Sequence, residues 1–166
     1  MEYISSDTNV WIDFSMISKL KIPFLLDCTY IMFKDAIEDE IRSPKKLKEE
    51  LIKLGLEGVT ITTSEYYYAD ELGSRYPRLS TYDRIALAIA KKRNITLLTG
   101  DMALRKAAIS ENVLVIGTIG LLDRLIDEEK IDRAEYLKCI SALLEYNGNG
   151  VRLPGEELRK RLDESR

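Results

Sequence analysis

Residues 95–108 constrain the fold of this chain more than any other stretch. A short apolar run that begins at Ile95 stops at Thr99 and Gly100, Asp101 follows, and a run of good helix formers then begins. This order of strand, glycine turn, acid and helix is typical of an open α/β sheet, whose ligands bind beyond the carboxyl ends of the strands. Asp101 is therefore placed either to bind a metal ion or to cap the next helix.

The rest of the chain repeats this alternation of strand and helix. We predict strands at 3–6, 30–33, 59–63, 95–98 and 113–116, and helices at about 10–20, 34–41, 45–54, 65–72, 80–93, 101–111, 118–127 and 133–146, with a short helical piece at 24–28 and a charged helix after Pro154. Helices that separate successive strands imply a central parallel sheet covered on both faces. We therefore expect a three-layer α/β/α fold.

The length of 166 residues suits one compact domain with a sizeable core. We expect a single domain over residues 1–166, with its α/β core at about 3–127 and an all-helical C-terminal extension at about 130–166. Ser43 and Pro44 are expected to end the helix at 34–41.

The composition restricts where the protein acts and what it binds. A net charge of −3 argues against broad attraction to nucleic acid or to an anionic membrane, although it leaves room for a local basic patch. No apolar run is long enough to span a bilayer, and the N-terminus lacks a signal segment. Cys28 and Cys139 are far apart and are expected to be buried free thiols, as in a cytoplasmic protein.

The chain contains no histidine, and this absence limits its chemistry. It excludes Ser-His-Asp and Cys-His catalysis, histidine-ligated zinc and general acid–base chemistry by histidine. An enzyme with this sequence would have to use carboxylates, lysines, tyrosines or an ion held by carboxylates.

Two acids follow predicted strands. Asp7 comes after the first strand, as Asp101 comes after a later one. If these strands are neighbours in a parallel sheet, their ends lie roughly 5 Å apart and both carboxylates meet at one edge. Each acid is also a fair helix N-cap, and Thr8 and Asn9 could cap in place of Asp7.

Asp83 is placed by helical spacing one turn before Ala86 and Leu87, on or beside the apolar stripe of its helix. A buried carboxylate without a partner is unfavourable, so Asp83 needs a partner such as a cation. Taken alone, Asp83 is more easily explained as a solvated or capping acid, as most acids are.

Glu40 is selected by the same argument from the cluster Glu38-Asp39-Glu40. It follows Ile37 by three residues and lies along the apolar side of the 34–41 helix, whereas the other two acids point elsewhere. With Asp7, Asp83 and Asp101 it makes a set of four acids. Carboxylates gathered at one site repel one another unless a divalent cation holds them, and oxygen-rich sites suit Mg²⁺ or Mn²⁺.

Three segments, in the order 6–10, 80–88 and 97–105, resemble motifs of the PIN domain family. They read Ser-Asp-Thr-Asn-Val, Ser-Thr-Tyr-Asp-Arg-Ile-Ala-Leu-Ala and Leu-Leu-Thr-Gly-Asp-Met-Ala-Leu-Arg. The resemblance covers about residues 3–127, and the helical tail with Asn147-Gly-Asn-Gly150 is similar to that of some less-studied PIN-like proteins. It implies a PIN-like fold and a nuclease that depends on Mg²⁺ or Mn²⁺.

The resemblance also implies roles for individual residues. The metal-binding acids of the family fall on Asp7, Glu40, Asp83 and Asp101. The sequence around Glu40 matches the family pattern less closely than the other three motifs do, and Asp39 and Glu38 are alternative matches. Thr99 is similar to a hydroxyl residue that often accompanies the last acid, and Asn9 to a common neighbour of the first. Both are expected to support the acids rather than to bind metal. Local cations are candidates for phosphate contact: Arg75, Arg84, Arg105 and Lys106.

The expected function is hydrolysis of single-stranded RNA by a metal ion that carboxylates hold. Many similar proteins are VapC-like toxins, so the expected partners are an RNA substrate, an antitoxin protein and a second copy in a homodimer, with no membrane. A PIN-like binding module without turnover remains an alternative. A phosphotransfer receiver is a third, but the 95–101 and 113–118 segments lack the lysine that it needs.

Overall fold

The computed structural model describes residues 1–42 and 44–164, and the predicted stop at Ser43 lies outside them. The strands are Glu2–Ser6 (β1), Cys28–Phe33 (β2), Glu57–Val59 (β3), Thr96–Leu98 (β4) and Val115–Ile116 (β5). The helices are Thr8–Met16 (α1), Lys34–Glu40 (α2), Leu47–Leu54 (α3), Thr63–Arg75 (α4), Thr81–Arg93 (α5), Met102–Ser110 (α6), Thr118–Asp127 (α7), Arg133–Tyr146 (α8) and Gly155–Glu164 (α9), with a 3₁₀ helix at Ile22–Leu25.

The strands form one parallel sheet in the order β3-β2-β1-β4-β5. This arrangement confirms the expected parallel sheet between helices. β1 and β4 are neighbours, and Ser6 pairs in register with Leu98. The segments that follow these two strands therefore leave the same edge of the sheet side by side.

Alternate side chains of the strands point to opposite faces, as the pleat of a strand requires. Ile4, Tyr30 and Leu98 are buried in the larger core, with side chains from α1, α2, α3, α7, α8 and α9. Ile31 and Leu97 point the other way, into cores that α4, α5 and α6 complete. The helices thus make two layers around the sheet.

The C-terminal helices contribute to the larger core. Cys139, Leu143, Val151 and Leu158 are fully buried, and they lie in the same cluster as Trp11. Because these side chains share a core with the first helix, the extension packs as part of the α/β unit.

The predicted strand at 59–63 is wrong in its bounds, because pairing ends at Val59. The hydroxyl of Thr62 accepts a hydrogen bond from the Glu65 N–H, and the Glu65 carboxylate accepts one from the Thr62 N–H. This capping box starts α4 at Thr63, so the β-branched run is divided between a strand and a helix cap.

Cys28 is half-buried and Cys139 is buried, and both thiols are free, so the expectation of full burial is wrong for Cys28. Within residues 1–42 and 44–164, none of the helices is both long and apolar enough to cross a membrane.

Candidate active site

Asp7 and Asp101 lie next to each other at the carboxyl ends of β1 and β4. The Asp7 N–H donates a 2.9 Å hydrogen bond to the carbonyl oxygen of Leu98, which continues the β1–β4 pairing to the acid itself. Asp7 is 7% exposed and caps α1, since its Oδ1 accepts a 2.9 Å hydrogen bond from the Thr8 N–H. The β1–β4 pairing and the helix cap therefore fix the Asp7 carboxylate at the carboxyl ends of these strands.

Asp101 caps α6 through a 2.8 Å hydrogen bond from the Leu104 N–H to its Oδ1. The described residues make no hydrogen bond to its other oxygen, Oδ2. The two roles considered for Asp101 are therefore compatible, because one oxygen caps the helix and the other remains available to a ligand.

Thr99 and Asn9 hold the two strand ends together. The fully buried Thr99 hydroxyl donates a 2.9 Å hydrogen bond to Asp7 Oδ2 and accepts one of 3.1 Å from the Asp101 N–H. Asn9 Oδ1 accepts a 3.0 Å hydrogen bond from the Gly100 N–H. Both side chains thus contact the segments that carry the acids.

Asp83 lies in the first turn of α5, where it completes a capping box with Ser80. Its Oδ2 accepts a 3.1 Å hydrogen bond from the Ser80 N–H, and the Ser80 hydroxyl accepts one of 3.1 Å from the Asp83 N–H. The partner that we expect Asp83 to need is thus supplied at least in part by the Ser80 N–H. The Ser-x-x-Asp spacing is itself a capping signal that predicts this arrangement.

Glu40 ends α2 and is exposed, which corrects the expectation that it lies on the apolar side. Its Oε1 nevertheless accepts a 2.9 Å hydrogen bond from the hydroxyl of Thr8, the residue after Asp7. Glu38 instead forms a 3.0 Å ion pair with Lys48, and Asp39 accepts a hydrogen bond from the Tyr82 hydroxyl. Of the three neighbouring acids, Glu40 is thus the one held beside Asp7.

Electrostatic repulsion links the four acids. Burial, together with the charges of Asp83 and Glu40, raises the pKa of Asp7 to about 7, against the lowering effect of the Thr99 and Thr8 hydrogen bonds. The pKa of Glu40 is raised by the partial burial of its carboxylate and then by the charges of Asp83 and Asp39. The pKa of Asp83 is raised by burial and by the charge of Asp101. The pKa values of Asp7, Glu40 and Asp83 are therefore each raised by the charge of another of the four acids.

The donor set fits a hard divalent cation in its chemistry. Carboxylate oxygens are the ligands that Mg²⁺ and Mn²⁺ prefer, and a cation would offset the repulsion that raises these pKa values. Among residues 1–42 and 44–164, however, no three acid, histidine or cysteine side chains are grouped closely enough to hold an ion as they stand. Asp101 Oδ2, which accepts no hydrogen bond from the described residues, is available to an ion.

The cations expected to contact phosphate lie in different places. The Arg84 guanidinium packs against α4, 3.4 Å from the Ala69 carbonyl oxygen, where a Cβ on Gly73 would come within 2.5 Å of it. Phosphate contact would therefore require Arg84 to leave this position. The Arg105 guanidinium donates a 3.2 Å hydrogen bond to the Thr99 carbonyl oxygen and so lies at the edge that carries the acids.

Lys106 is exposed on α6, and no ion pair to it is found among the described residues. Arg75 is also exposed, but it forms a 2.6 Å ion pair with Glu111. Lys106 is therefore the more available of these two cations for a phosphate group.

Asp13 is a buried acid near the site that the sequence reading did not select. It lies one turn after Asn9 on α1, is 6% exposed, and accepts a 2.7 Å hydrogen bond from the Thr118 hydroxyl at Oδ2. Burial raises its pKa to about 6. Its position in the apolar run of α1, between Val10 and Phe14, does not by itself distinguish a buried acid from a solvated one.

Asp13 and Asp101 line a cleft of about 1060 Å³ whose far wall is the tail segment 147–154. Asn147 fixes this segment by two 2.9 Å hydrogen bonds to the backbone of Leu153. The exposed Arg152 is the cation of this wall. The tail thus extends the edge of the sheet into a cleft beside the acids.

A family model described as a PIN domain (DUF3368) matches residues 3–165. The match includes the C-terminal helices together with the α/β core. No curated protein and no solved structure matches the chain.

Proposed function

Because the chain belongs to the PIN domain family, we propose that it is a metal-dependent ribonuclease that hydrolyses phosphodiester bonds in single-stranded RNA. PIN domains are generally nucleases. The observation that carries the proposal is the gathering of four carboxylates from separate segments. Thr99 contacts Asp7 and the Asp101 backbone, Thr8 contacts Glu40, and the charge of Asp83 raises the pKa of both Asp7 and Glu40. Fold stability alone does not explain this gathering of carboxylates, because the repulsion between them destabilises the folded state.

In this proposal Asp7, Glu40, Asp83 and Asp101 hold Mg²⁺ or Mn²⁺. When bound, such an ion lowers the pKa of a water molecule and stabilises negative charge on the phosphoryl oxygens. Thr99 keeps the Asp7 carboxylate in place and links it to the Asp101 backbone. Arg105, fixed on the Thr99 carbonyl oxygen, is a cation close enough to this edge to bind an RNA phosphate.

The wider role that we propose is the toxin of a toxin–antitoxin pair in the cytoplasm. An antitoxin segment would inhibit the enzyme by placing a basic side chain among the carboxylates, where opposite charge is favourable. A homodimer is part of the same proposal.

A second candidate function is a PIN-like module that binds RNA or protein without turnover. The observation that favours it is the present arrangement of the acids, of which no three described side chains are grouped to hold an ion. Asp7, Asp83 and Asp101 also each stabilise a helix start, a role that needs no metal.

The test is cleavage of a panel of single-stranded RNAs with Mn²⁺ or Mg²⁺ by the wild type, Asp7→Asn and Asp101→Asn. The matched control is Asp127→Asn, which removes an exposed carboxylate at the end of α7. We expect EDTA and each of the two site substitutions to abolish cleavage, while the control retains wild-type activity.

Cleavage that survives EDTA and both site substitutions would contradict the ribonuclease proposal. Calorimetric titration with Mn²⁺ separates the two candidates, because a module without turnover would bind the ion yet leave every RNA of the panel intact.

A further inference from the structure

A groove lies between α6 and the connection from α4 to α5, next to the carboxylates. One wall is the α6 face that carries Ala103, Lys106, Ala107 and Ser110, and the other is the segment 75–79. Met102 also lines the groove and is 58% exposed. Its volume of about 520 Å³ is within the range of ligand pockets, about 300–1,000 Å³.

Both walls lead directly into segments that carry candidate catalytic acids. Met102 follows Asp101, and Leu79 precedes Ser80, whose N–H donates a 3.1 Å hydrogen bond to Asp83. An extended ligand that is bound at the acids and continues between α5 and α6 would enter this groove.

The groove has the opposite charge to the acid cluster. Its lining includes Arg75, Arg78 and Lys106 and no aspartate or glutamate. Arg75 is neutralised by Glu111 at 2.6 Å, whereas the described residues offer Arg78 and Lys106 no ion pair. In a chain of net charge −3, this places two available positive charges beside a site for phosphodiester hydrolysis.

The floor between these cations is apolar. Its exposed apolar residues are Pro77 and Ala103, with Leu79 and Ala107 buried, and the Tyr76 hydroxyl donates a 2.7 Å hydrogen bond to Glu111. An apolar floor with cations at its edges suits a nucleotide, whose base packs on apolar or aromatic side chains while its phosphate contacts cations. An acidic peptide would match the charge but would leave the apolar floor unused.

We propose that this groove binds the single-stranded RNA segment adjacent to the cleaved phosphodiester, with Arg78 and Lys106 contacting its phosphates and the base packed against Pro77 and Ala103. The proposal rests on the ribonuclease function for the identity of its ligand. It assigns to Arg78 a role in substrate binding that its sequence context does not indicate.

The test measures binding without hydrolysis. Fluorescence anisotropy in EDTA follows a labelled single-stranded oligouridylate on the full-length protein, for the wild type and for Arg78→Glu with Lys106→Glu. The control is Arg133→Glu with Lys138→Glu, which makes the same charge change at exposed positions of α8. We expect the groove variant to bind at least about tenfold more weakly and the control to stay within about twofold.

The salt dependence gives a second readout. Two lost phosphate contacts should reduce the slope of log K against log salt by about 1.4 for a single strand. Equal losses in the groove variant and the control, unchanged binding in the groove variant, or no binding by the wild type would each overturn the proposal. Binding that depends on the groove in a protein that never cleaves RNA would contradict the ribonuclease function and retain the groove. RNA cleavage by the wild type, together with wild-type affinity in the groove variant, would contradict the groove proposal and retain the ribonuclease function.

Discussion

The Thr99 hydroxyl donates a 2.9 Å hydrogen bond to Asp7 Oδ2, from a fully buried position at the end of β4. The same hydroxyl accepts a hydrogen bond from the Asp101 N–H. One side chain therefore sets the position of two acids that are far apart in sequence. It also favours the ionised form of Asp7, against burial and the neighbouring charges.

We predict that Thr99→Val weakens Mn²⁺ binding by about tenfold or more, because supporting hydrogen bonds orient metal ligands. The valine keeps the shape of threonine and removes both hydrogen bonds, so Asp7 Oδ2 and the Asp101 N–H lose their partner. Calorimetric titration with Mn²⁺ measures the effect. Thr99→Ser should restore most of the affinity, and equal affinity in Thr99→Val and the wild type would contradict the prediction.

We predict that Asp7→Asn stabilises the metal-free protein at pH 8. The pKa of Asp7 rises from 3.8 in the unfolded chain to about 7 in the fold, so between these values only the folded state holds the proton. The free energy of unfolding therefore falls as the pH rises through this window. Above the window, the buried ionised carboxylate destabilises the folded state to its full extent. The asparagine removes this destabilisation and still caps α1.

The expected gain for Asp7→Asn in EDTA is on the order of 2 kcal/mol, measured by urea denaturation. In saturating Mn²⁺ the wild type should be more stable than Asp7→Asn, since only the wild type gains stability from binding the ion. A variant that is less stable than the wild type in EDTA at pH 8 would argue against the repulsion described for this site.

We predict that Asp13 makes stability depend on pH at a lower range. Its pKa rises from 3.8 to about 6 because the side chain is buried, so its destabilising effect develops between pH 4 and 6 as the pH rises. The difference in the free energy of unfolding between Asp13→Asn and the wild type should grow by up to about 3 kcal/mol across this window. Asp127→Asn is the control, and a constant difference from pH 4 to 7 would contradict the prediction.

We predict that Glu40→Gln lowers the affinity for Mn²⁺ and the rate of RNA cleavage, whereas Glu38→Gln changes neither. Both residues belong to α2 and both substitutions remove one negative charge. Glu40 is held by the Thr8 hydroxyl beside Asp7, and Glu38 is paired with Lys48. Because Mn²⁺ binding and cleavage are measured separately, equal effects of the two substitutions on both would show that Glu40 acts only through net charge.

Local sequence signals were sufficient for most of the fold. The run from Ile95 to Asp101 predicted a strand, a turn and a helix start, and the structure has β4 and α6 with Asp101 as the N-cap. The weakest local prediction was the strand at 59–63, because a β-branched run carries the same signal whether it pairs in a sheet or caps a helix. The capping box of Thr62 and Glu65 decided this in favour of α4.

Hydrophobic spacing was less reliable for the acids. It placed Glu40 on the apolar side of α2, but the residue is exposed at the helix end and contacts Thr8 instead. It also left Asp13 unnoticed, because a carboxylate within an apolar run has no local signal that separates a buried acid from a solvated one. Its burial and its Thr118 partner depend on α7, which is about 100 residues away in the chain.

The sequence by itself determined that Asp7 and Asp101 each follow a strand and precede a helix, because caps and periodicity act over a few residues. Only the tertiary structure decided that these strands are neighbours, that Thr99 bridges the two acids, and that Arg84 turns toward α4 while Arg105 stays at the sheet edge. Strand order and side-chain direction depend on packing between segments that are distant in sequence. Local propensity carries no information about such packing.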